Sequence, residues 1–226
     1  MWLKALLMEQ QQQAASLETL KDIRSIMERS SRFISLSGWS GIWAGGVALV
    51  ASVIAQHYIA QTPGAFYLDV YPGITGLTEP FFLKMLLLAA ATLITAAAGA
   101  FFFTARKARQ QGFSVFGGAS RKLFVSVIIP LIAGGVFCLS FLENGLEYYI
   151  APTCLAFYGM ALVSGGKYTL GEIRYLGYSE LLLGCICLFF PGYGLYFWAA
   201  GFGLLHIIYG IIMWRRYDQH EQKDHS

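Results

Sequence analysis

Long apolar runs alternate with short polar segments along this 226-residue chain. Most of these runs reach about 20 residues, the length that a helix needs to cross the ~30 Å hydrocarbon core of a bilayer. Six runs can be placed, over 33–59, 81–105, 123–142 and 148–166, followed by two that begin after Arg174 and are joined at 191–194. The pattern therefore predicts an all-α fold, a polytopic membrane protein built as a bundle of six transmembrane helices.

The composition supports a membrane location. Hydrophobic residues make up 56% of the chain and charged residues only 13%, with a mean hydropathy of +0.54. Soluble domains carry about 25% charged residues, so we expect the lipid bilayer to be the main surroundings of this chain. The net charge of +3 is too small to indicate nucleic-acid binding.

Basic residues fall on one side only of the predicted membrane. Of the 16 Lys and Arg residues, fifteen lie before the first run, in alternate connections or in the tail, and Lys84 lies inside the second run. Cytoplasmic loops of membrane proteins are enriched in Lys and Arg. We therefore predict that both termini are cytoplasmic, and we expect a multi-pass protein of the inner membrane.

The chain divides into three predicted parts. Residues 33–216 form the transmembrane domain, and 217–226 form a short cytoplasmic tail. Residues 1–32 carry an apolar stripe at helical spacing, which predicts a cytoplasmic amphipathic segment on the membrane surface. A coiled-coil contact is the alternative, so a protein partner or a homo-oligomer remains open. We expect no signal peptide to be removed, because no small-residue cleavage site follows the short apolar patch near the N-terminus.

Small residues at helical spacing predict close helix packing. Gly41 and Gly45 form a GxxxG pattern in the first run, which allows another backbone to approach closely. The alternation of basic connections and outer turns also permits an arrangement as three consecutive hairpins, a weak internal repeat.

The last two runs carry one ionisable group each among their small residues. If these runs fold back at the turn after Pro191, Glu180 lies opposite His206. The same register pairs Gly177 with Gly210. It also pairs Gly184 with Gly203. Ionisable groups inside membrane helices are costly, so Glu180 and His206 are either a polar pair that holds the helices in register or a proton or ligand site.

A second group of charges is predicted near the outer surface. Lys84 lies about one turn into the second run, and the carboxylates expected on the same side are Glu79, Glu143 and Glu147. We predict that Lys84 pairs with at least one of them, because an unpaired Lys in hydrocarbon costs about 2.5–3.5 kcal/mol. The alternative is that its side chain extends to the interface.

Motifs of catalysis and metal binding are absent from the sequence. There is no phosphate-binding lysine loop, no nucleophile elbow and no zinc-protease motif. The four cysteines lie in apolar runs without metal-ligand spacing, so we expect neither disulfides nor a metal site. We predict no cofactor and no catalytic residues.

Three classes of function follow from these observations. The first is a non-enzymatic membrane protein that acts through partners, favoured by the small number of buried ionisable groups. The second is a small proton-linked or solute transporter or channel that uses Glu180 and His206. The third, a membrane enzyme, has the least support. A polar cavity that reaches Glu180 would favour transport, whereas a dry, packed hairpin would favour the first class.

Two short stretches resemble an uncharacterised group of bacterial six-helix inner-membrane proteins. One is 31–38, which resembles the start of their first helix, and the other is 202–217 in the last run. Genes of this group often lie beside small winged-helix regulators, so the resemblance implies a role in envelope or stress regulation. It transfers no catalytic residue to this chain.

Overall fold

The computed structural model describes residues 36–61, 79–110 and 117–218. These residues form six helices in all and contain no β-strand, which confirms the all-α prediction for this part of the chain. The predicted N-terminal segment 1–32 and all but the first two residues of the tail lie outside the described residues. The helices are α1 (Gly38–Gln61), α2 (Glu79–Gln110), α3 (Gly118–Glu143), α4 (Ile150–Gly165), α5 (Gly171–Cys187) and α6, which begins at Gly194.

Several helix ends differ from the predicted runs. The first helix begins at Gly38 rather than at 33, because Leu36 and Ser37 are not helical and the Ser37 carbonyl accepts the Ser40 hydroxyl at 2.6 Å. Helices α2 and α3 are longer than predicted, so the basic residues between their apolar runs are helical. Lys and Arg are good helix formers, and apolar content alone does not show where a helix ends.

Among the described residues, four helices are long and apolar enough to cross a membrane. They are Gly38–Gln61, Phe81–Gln110, Gly118–Glu143 and Gly194–Tyr217. The other two predicted spans are shorter, with 16 residues in α4 and 17 in α5. At ~1.5 Å per residue each reaches only about 24–26 Å. Helix α4 is short because a 3₁₀ turn, Glu147–Tyr149, precedes it.

The helices pack in the order α2, α1, α6, then α4 with α5, then α3. Helix α1 contacts α2 and α6, and the Trp43 indole donates to the Thr95 carbonyl of α2 at 3.0 Å. Helix α4 contacts α3 and α5, and the Ser126 and Ser164 hydroxyls join α3 to α4 at 2.7 Å. Over their described residues, α2 and α3 make no extensive contact with each other. A cleft therefore runs between them.

The predicted glycine register of the last two helices is wrong. A Cβ built at Gly177 would lie 2.8 Å from the Gly159 carbonyl of α4, and one at Gly184 would lie 2.7 Å from the Ala156 amide of the same helix. The small face of α5 is therefore turned towards α4. Glycine accepts any closely approaching backbone, so its spacing does not select a partner.

The glycines of α6 pack against α1 instead of α5. A Cβ at Gly210 would lie 2.8 Å from the Gly38 carbonyl, and one at Gly45 would lie 2.6 Å from the Gly203 carbonyl. Gly41 also lies against Gly210, with 3.1 Å from its built Cβ to the Gly210 Cα. The last two helices therefore do not form the close third hairpin of the predicted arrangement.

Helix α6 changes its winding along its length. It is α-helical over Gly194–Trp198, π-helical over Ala199–Leu205, α-helical again over His206–Met213 and π-helical over Trp214–Asp218. A π-helix pairs each amide with the carbonyl five residues back, and such segments often occur at functional sites. The first π segment lies beside Glu180.

The two ends of the bundle differ in charge. We call the end that contains the end of α2 and the start of α3 the basic end. Its described basic residues are Arg106, Lys107, Arg109, Arg121, Lys122, Lys167, Arg174, Arg215 and Arg216. The opposite end, with Glu143 and Glu147, is the acidic end. Its turns contain Gly145 and Gly192, whose φ values of 68° and 91° favour glycine.

Candidate functional site

A fully buried carboxyl group lies at the centre of the bundle. Glu180 projects from α5, and its relative exposure is 0%. Its Oε1 atom lies 3.3 Å from Nδ1 of His206 on α6, a residue that is 6% exposed. The structure thus brings together the two ionisable groups that the sequence places opposite each other, although the glycines around them have other partners.

The hydrogen bonds of His206 define its tautomer. Nδ1 lies 3.1 Å from the Gly201 carbonyl oxygen, which can only accept, so Nδ1 carries a hydrogen. Nε2 lies 2.8 Å from the Tyr158 hydroxyl. In the neutral imidazole Nε2 accepts the Tyr158 hydrogen, and in the protonated imidazole Nε2 donates to the Tyr158 oxygen. Both protonation states of His206 are therefore compatible with the same two hydrogen-bond partners, the Gly201 carbonyl and the Tyr158 hydroxyl.

Both carboxyl oxygens of Glu180 are buried without a hydrogen-bond partner. The short distance to His206 does not make a well-aligned hydrogen bond, because the Nδ1 hydrogen is directed at the Gly201 carbonyl. The great majority of buried polar groups in proteins are hydrogen-bonded, so one without a hydrogen-bond partner requires an explanation. A carboxyl held beside an imidazole without a fixed partner has the chemistry of a proton-exchange site.

Glycine at position 201 provides the space for the carboxyl. A Cβ built there would overlap Oε2 of Glu180 and a methyl group of Leu155. Gly201 belongs to the π-helical segment of α6, so its backbone supplies both the space for Glu180 and the carbonyl for His206.

An aromatic column runs along α6 through the site. Trp198 and Phe202 lie with ring centroids 5.1 Å apart, and Phe202 stacks on His206 at 6.0 Å with an interplanar angle of 19°. The ring of Tyr158 on α4 packs against Phe202 at 5.0 Å. These rings hold the imidazole in one orientation.

A cavity of about 850 Å³ leads from the basic end to the site. Tyr158 and His206 contribute to its lining, whereas Glu180 lies behind them. The walls are mainly apolar and are contributed by all six helices. The cavity thus reaches the imidazole and the phenol, but it is not the continuous polar path that would give Glu180 direct access.

A smaller cavity of about 340 Å³ lies at the acidic end. It is lined by Trp198 at the far end of the aromatic column, and by Glu147 and Tyr148 near the surface. Phe202 lines neither cavity and lies between Trp198 and His206. The aromatic column therefore separates the two cavities.

The predicted outer cluster is not assembled as expected. Over the part of the chain that is described, Lys84 forms no ion pair with Glu143 or Glu147, and the side chain of Glu79 lies outside the description. The Lys84 ammonium instead lies 5.9 Å from the centroid of the Tyr58 ring. Lys84 is exposed, and the contact of its ammonium with an aromatic face takes the place of the expected charge pair.

Sequence reasoning missed three contributors to the site. The sequence patterns indicate no role for Tyr158 or Gly201, and Phe202 appears only within the stretch 202–217 that carries the resemblance. A tyrosine in the middle of the predicted fourth run was the available signal, because a buried phenol normally needs a hydrogen-bond partner. The described residues contain no group of three His, Cys, Asp or Glu side chains that could hold a metal ion.

Comparison with known proteins assigns no family to this chain. No family model, no curated protein and no solved structure matches it.

Proposed function

We propose that this chain is a non-enzymatic integral membrane protein that couples a proton at Glu180 and His206 to the binding or passage of an apolar solute. The observation that carries the proposal is the carboxyl of Glu180, which is fully buried 3.3 Å from His206, has no hydrogen-bond partner and lies one side chain from a large cavity. An ionisable group inside a membrane bundle is a functional candidate by default.

The lengths of the helices and the distribution of basic residues support a membrane location. Four described helices are long and apolar enough to span a bilayer, and α2 and α3 expose large apolar side chains along most of their length. We propose six spans in the inner membrane of a bacterium, with both termini cytoplasmic. In that orientation the basic end faces the cytoplasm.

The proton would move between the cavity and the carboxyl through two side chains. Tyr158 and His206 line the cavity, and the hydrogen bond between them joins it to the imidazole. The imidazole then connects to Glu180 through Nδ1. Histidine suits this role because its two ring nitrogens can exchange donor and acceptor roles.

A role exercised only through protein partners has less support. That hypothesis expects Glu180 and His206 to form a dry, satisfied pair between tightly packed helices. The Glu180 oxygens have no hydrogen-bond partner, and the cavity ends at Tyr158 and His206, which would take the place of a continuous polar path to the carboxyl; both observations support the transport hypothesis instead. The mainly apolar walls indicate that the solute is apolar or amphiphilic rather than an inorganic ion.

The experiment measures proton movement into liposomes that contain the purified protein and an internal pH-sensitive dye, under an imposed potassium diffusion potential. We expect flux above that of protein-free liposomes, and we expect Glu180→Gln to abolish it. Glu143→Gln is the matched control, because Glu143 lies at the acidic end outside the site. Equal flux through the wild type and the Glu180→Gln variant would contradict the proposal.

Infrared difference spectroscopy of the same samples tests proton binding directly. A pH step should change the carbonyl band of a protonated carboxyl in the wild type and in Glu143→Gln. The change should be missing in Glu180→Gln. A spectrum that is identical in all three samples would show that Glu180 does not exchange a proton.

A further inference from the structure

The cavity at the basic end combines apolar walls with one basic residue at its surface. Its volume of about 850 Å³ lies in the upper part of the ~300–1,000 Å³ range of small-molecule sites. Leu123, Phe124 and Val127 of α3 form one wall, and Phe101 of α2 contributes to the other. A ligand for this space must be mainly apolar.

Helices α2 and α3 make no extensive contact with each other, so the cavity is accessible through the cleft between them. Phe101 and Phe124, one on each helix, line the cavity while 56% and 65% of their surfaces remain exposed. In a membrane these rings would contact lipid. An acyl chain can therefore pass from the bilayer into the cavity without crossing a polar barrier.

Polar groups are concentrated where the cavity meets the basic end. Arg121 lines the cavity, and the neighbouring Ser120 hydroxyl also lines it but is buried without a hydrogen-bond partner. A buried hydroxyl without a partner loses free energy relative to a paired one. A ligand oxygen beside Ser120 and Arg121 would satisfy both groups.

We propose that the cavity binds an anionic phospholipid of the surrounding membrane, with one acyl chain between α2 and α3 and its phosphate at Arg121 and Ser120. The arginine fork matches phosphate oxygens in geometry and charge. Further basic residues at the same end, among them Arg106 and Arg109, attract anionic headgroups. The inference rests on the proposed function for its membrane setting and for the apolar solute, whose chemical class it names.

Native mass spectrometry of the full chain from detergent tests this inference. The protein is incubated with equimolar phosphatidylglycerol, phosphatidylcholine and oleate of matched chain length. We expect phosphatidylglycerol to be retained in preference to the other two. Equal retention of phosphatidylglycerol and phosphatidylcholine would overturn the role of charge. Preferential retention of oleate would overturn the assignment to a phospholipid.

Two single-residue variants test whether the phosphate of the headgroup binds at Arg121. Arg121→Gln should weaken phosphatidylglycerol binding about tenfold, the size expected for loss of one charge-assisted contact. Lys122→Gln is the matched control, because Lys122 is the next residue but does not line the cavity. Equal losses in the two variants would show that lipid binds through general surface charge and would overturn the site.

Two further measurements separate the site from folding and from proton transport. Val127→Trp should reduce lipid binding because the larger side chain fills the cavity. Ser120→Ala should also reduce lipid binding, because it removes the hydroxyl while the shape of the cavity changes little. Thermal unfolding in detergent identifies any variant that is simply misfolded. Retained lipid with no proton flux would contradict the proposed function alone, whereas proton flux without lipid retention would contradict this inference alone.

Discussion

Tyr158 and His206 lie 48 residues apart in the sequence, and their side chains meet at 2.8 Å between the phenol oxygen and Nε2. The contact joins α4 to α6 at the deep end of the large cavity. We expect Tyr158→Phe to preserve the ring packing and to lower stability by about 0.5–1.5 kcal/mol, the usual contribution of one hydrogen bond.

Tyr158→Phe should also slow proton flux, and by more than the loss of folded protein would explain. The physical reason is that the phenol is hydrogen-bonded to Nε2, the nitrogen through which the imidazole would exchange a proton with the cavity. Tyr209→Phe is the matched control, because the Tyr209 hydroxyl contacts Ser179 at a longer distance of 3.5 Å. Proton flux in liposomes and unfolding in detergent measure the two effects. Equal flux through both variants would exclude the phenol from the pathway.

Glu180→Met should leave stability unchanged or raise it by about 1–3 kcal/mol, because it removes a buried carboxyl that has no hydrogen-bond partner. It should also abolish proton flux. Chemical denaturation in mixed detergent micelles provides the measurement. A loss of about 3–5 kcal/mol would instead identify Glu180 and His206 as a structural ion pair.

A double-mutant cycle of Glu180 and His206 also distinguishes a proton-exchange site from a structural ion pair. If the two side chains act together, Glu180→Gln should have a smaller effect in a His206→Leu background than alone. Polar contacts between membrane helices average only about 0.6 kcal/mol in such cycles. We therefore expect weak coupling in stability and strong coupling in proton flux. Additive effects on flux would argue against a shared function.

Gly210→Ala should destabilise the bundle by about 1–3 kcal/mol, the usual cost of overpacking. A Cβ at this position would lie 2.7 Å from the Ile42 amide nitrogen and 2.8 Å from the Gly38 carbonyl, and neither backbone atom can move freely. Gly46→Ala is the control, because nothing lies within 4 Å of its Cβ position. Thermal unfolding should show a loss in the first variant only, and equal stability would contradict the packing of α6 on α1.

Cys138 and Cys154 should form a disulfide under a mild oxidant such as copper phenanthroline. Their sulfur atoms lie 3.8 Å apart across the contact of α3 with α4, so only a small movement is needed to reach the ~2.05 Å of a disulfide bond. Labelling with a maleimide, followed by mass spectrometry, should show both thiols protected after oxidation. Cys185, which is exposed, should stay reactive. Continued labelling of Cys154 would contradict this placement of α4.

A reporter that is active only outside the cytoplasm tests the topology. Fusions after Gly73 should be active, and fusions after Ser226 should be inactive, because Lys and Arg fall on the side of the termini. The opposite result would reverse the orientation and place the basic end outside.

The sequence determined the secondary structure and the charge asymmetry of this protein by itself. Apolar runs with a helical period specify helices locally, and the described residues form six of them. The distances of Glu180 and His206 from the turn near Gly192 also limited where these side chains could lie. Two helices joined by a short turn bring residues at similar distances from the turn to the same depth, and the structure places the pair at 3.3 Å.

Only the tertiary structure decided which helices are partners. The glycine faces of α5 and α6 match each other in sequence, yet Gly177 packs against α4 and Gly210 packs against α1. Small residues allow close approach to any backbone, and helices in lipid lack a hydrophobic force that would select one neighbour. Tyr158 became part of the site for the same reason. Its phenol meets His206 only because the packing of α4 on α5 places it there, and no local pattern encodes a contact between side chains 48 residues apart.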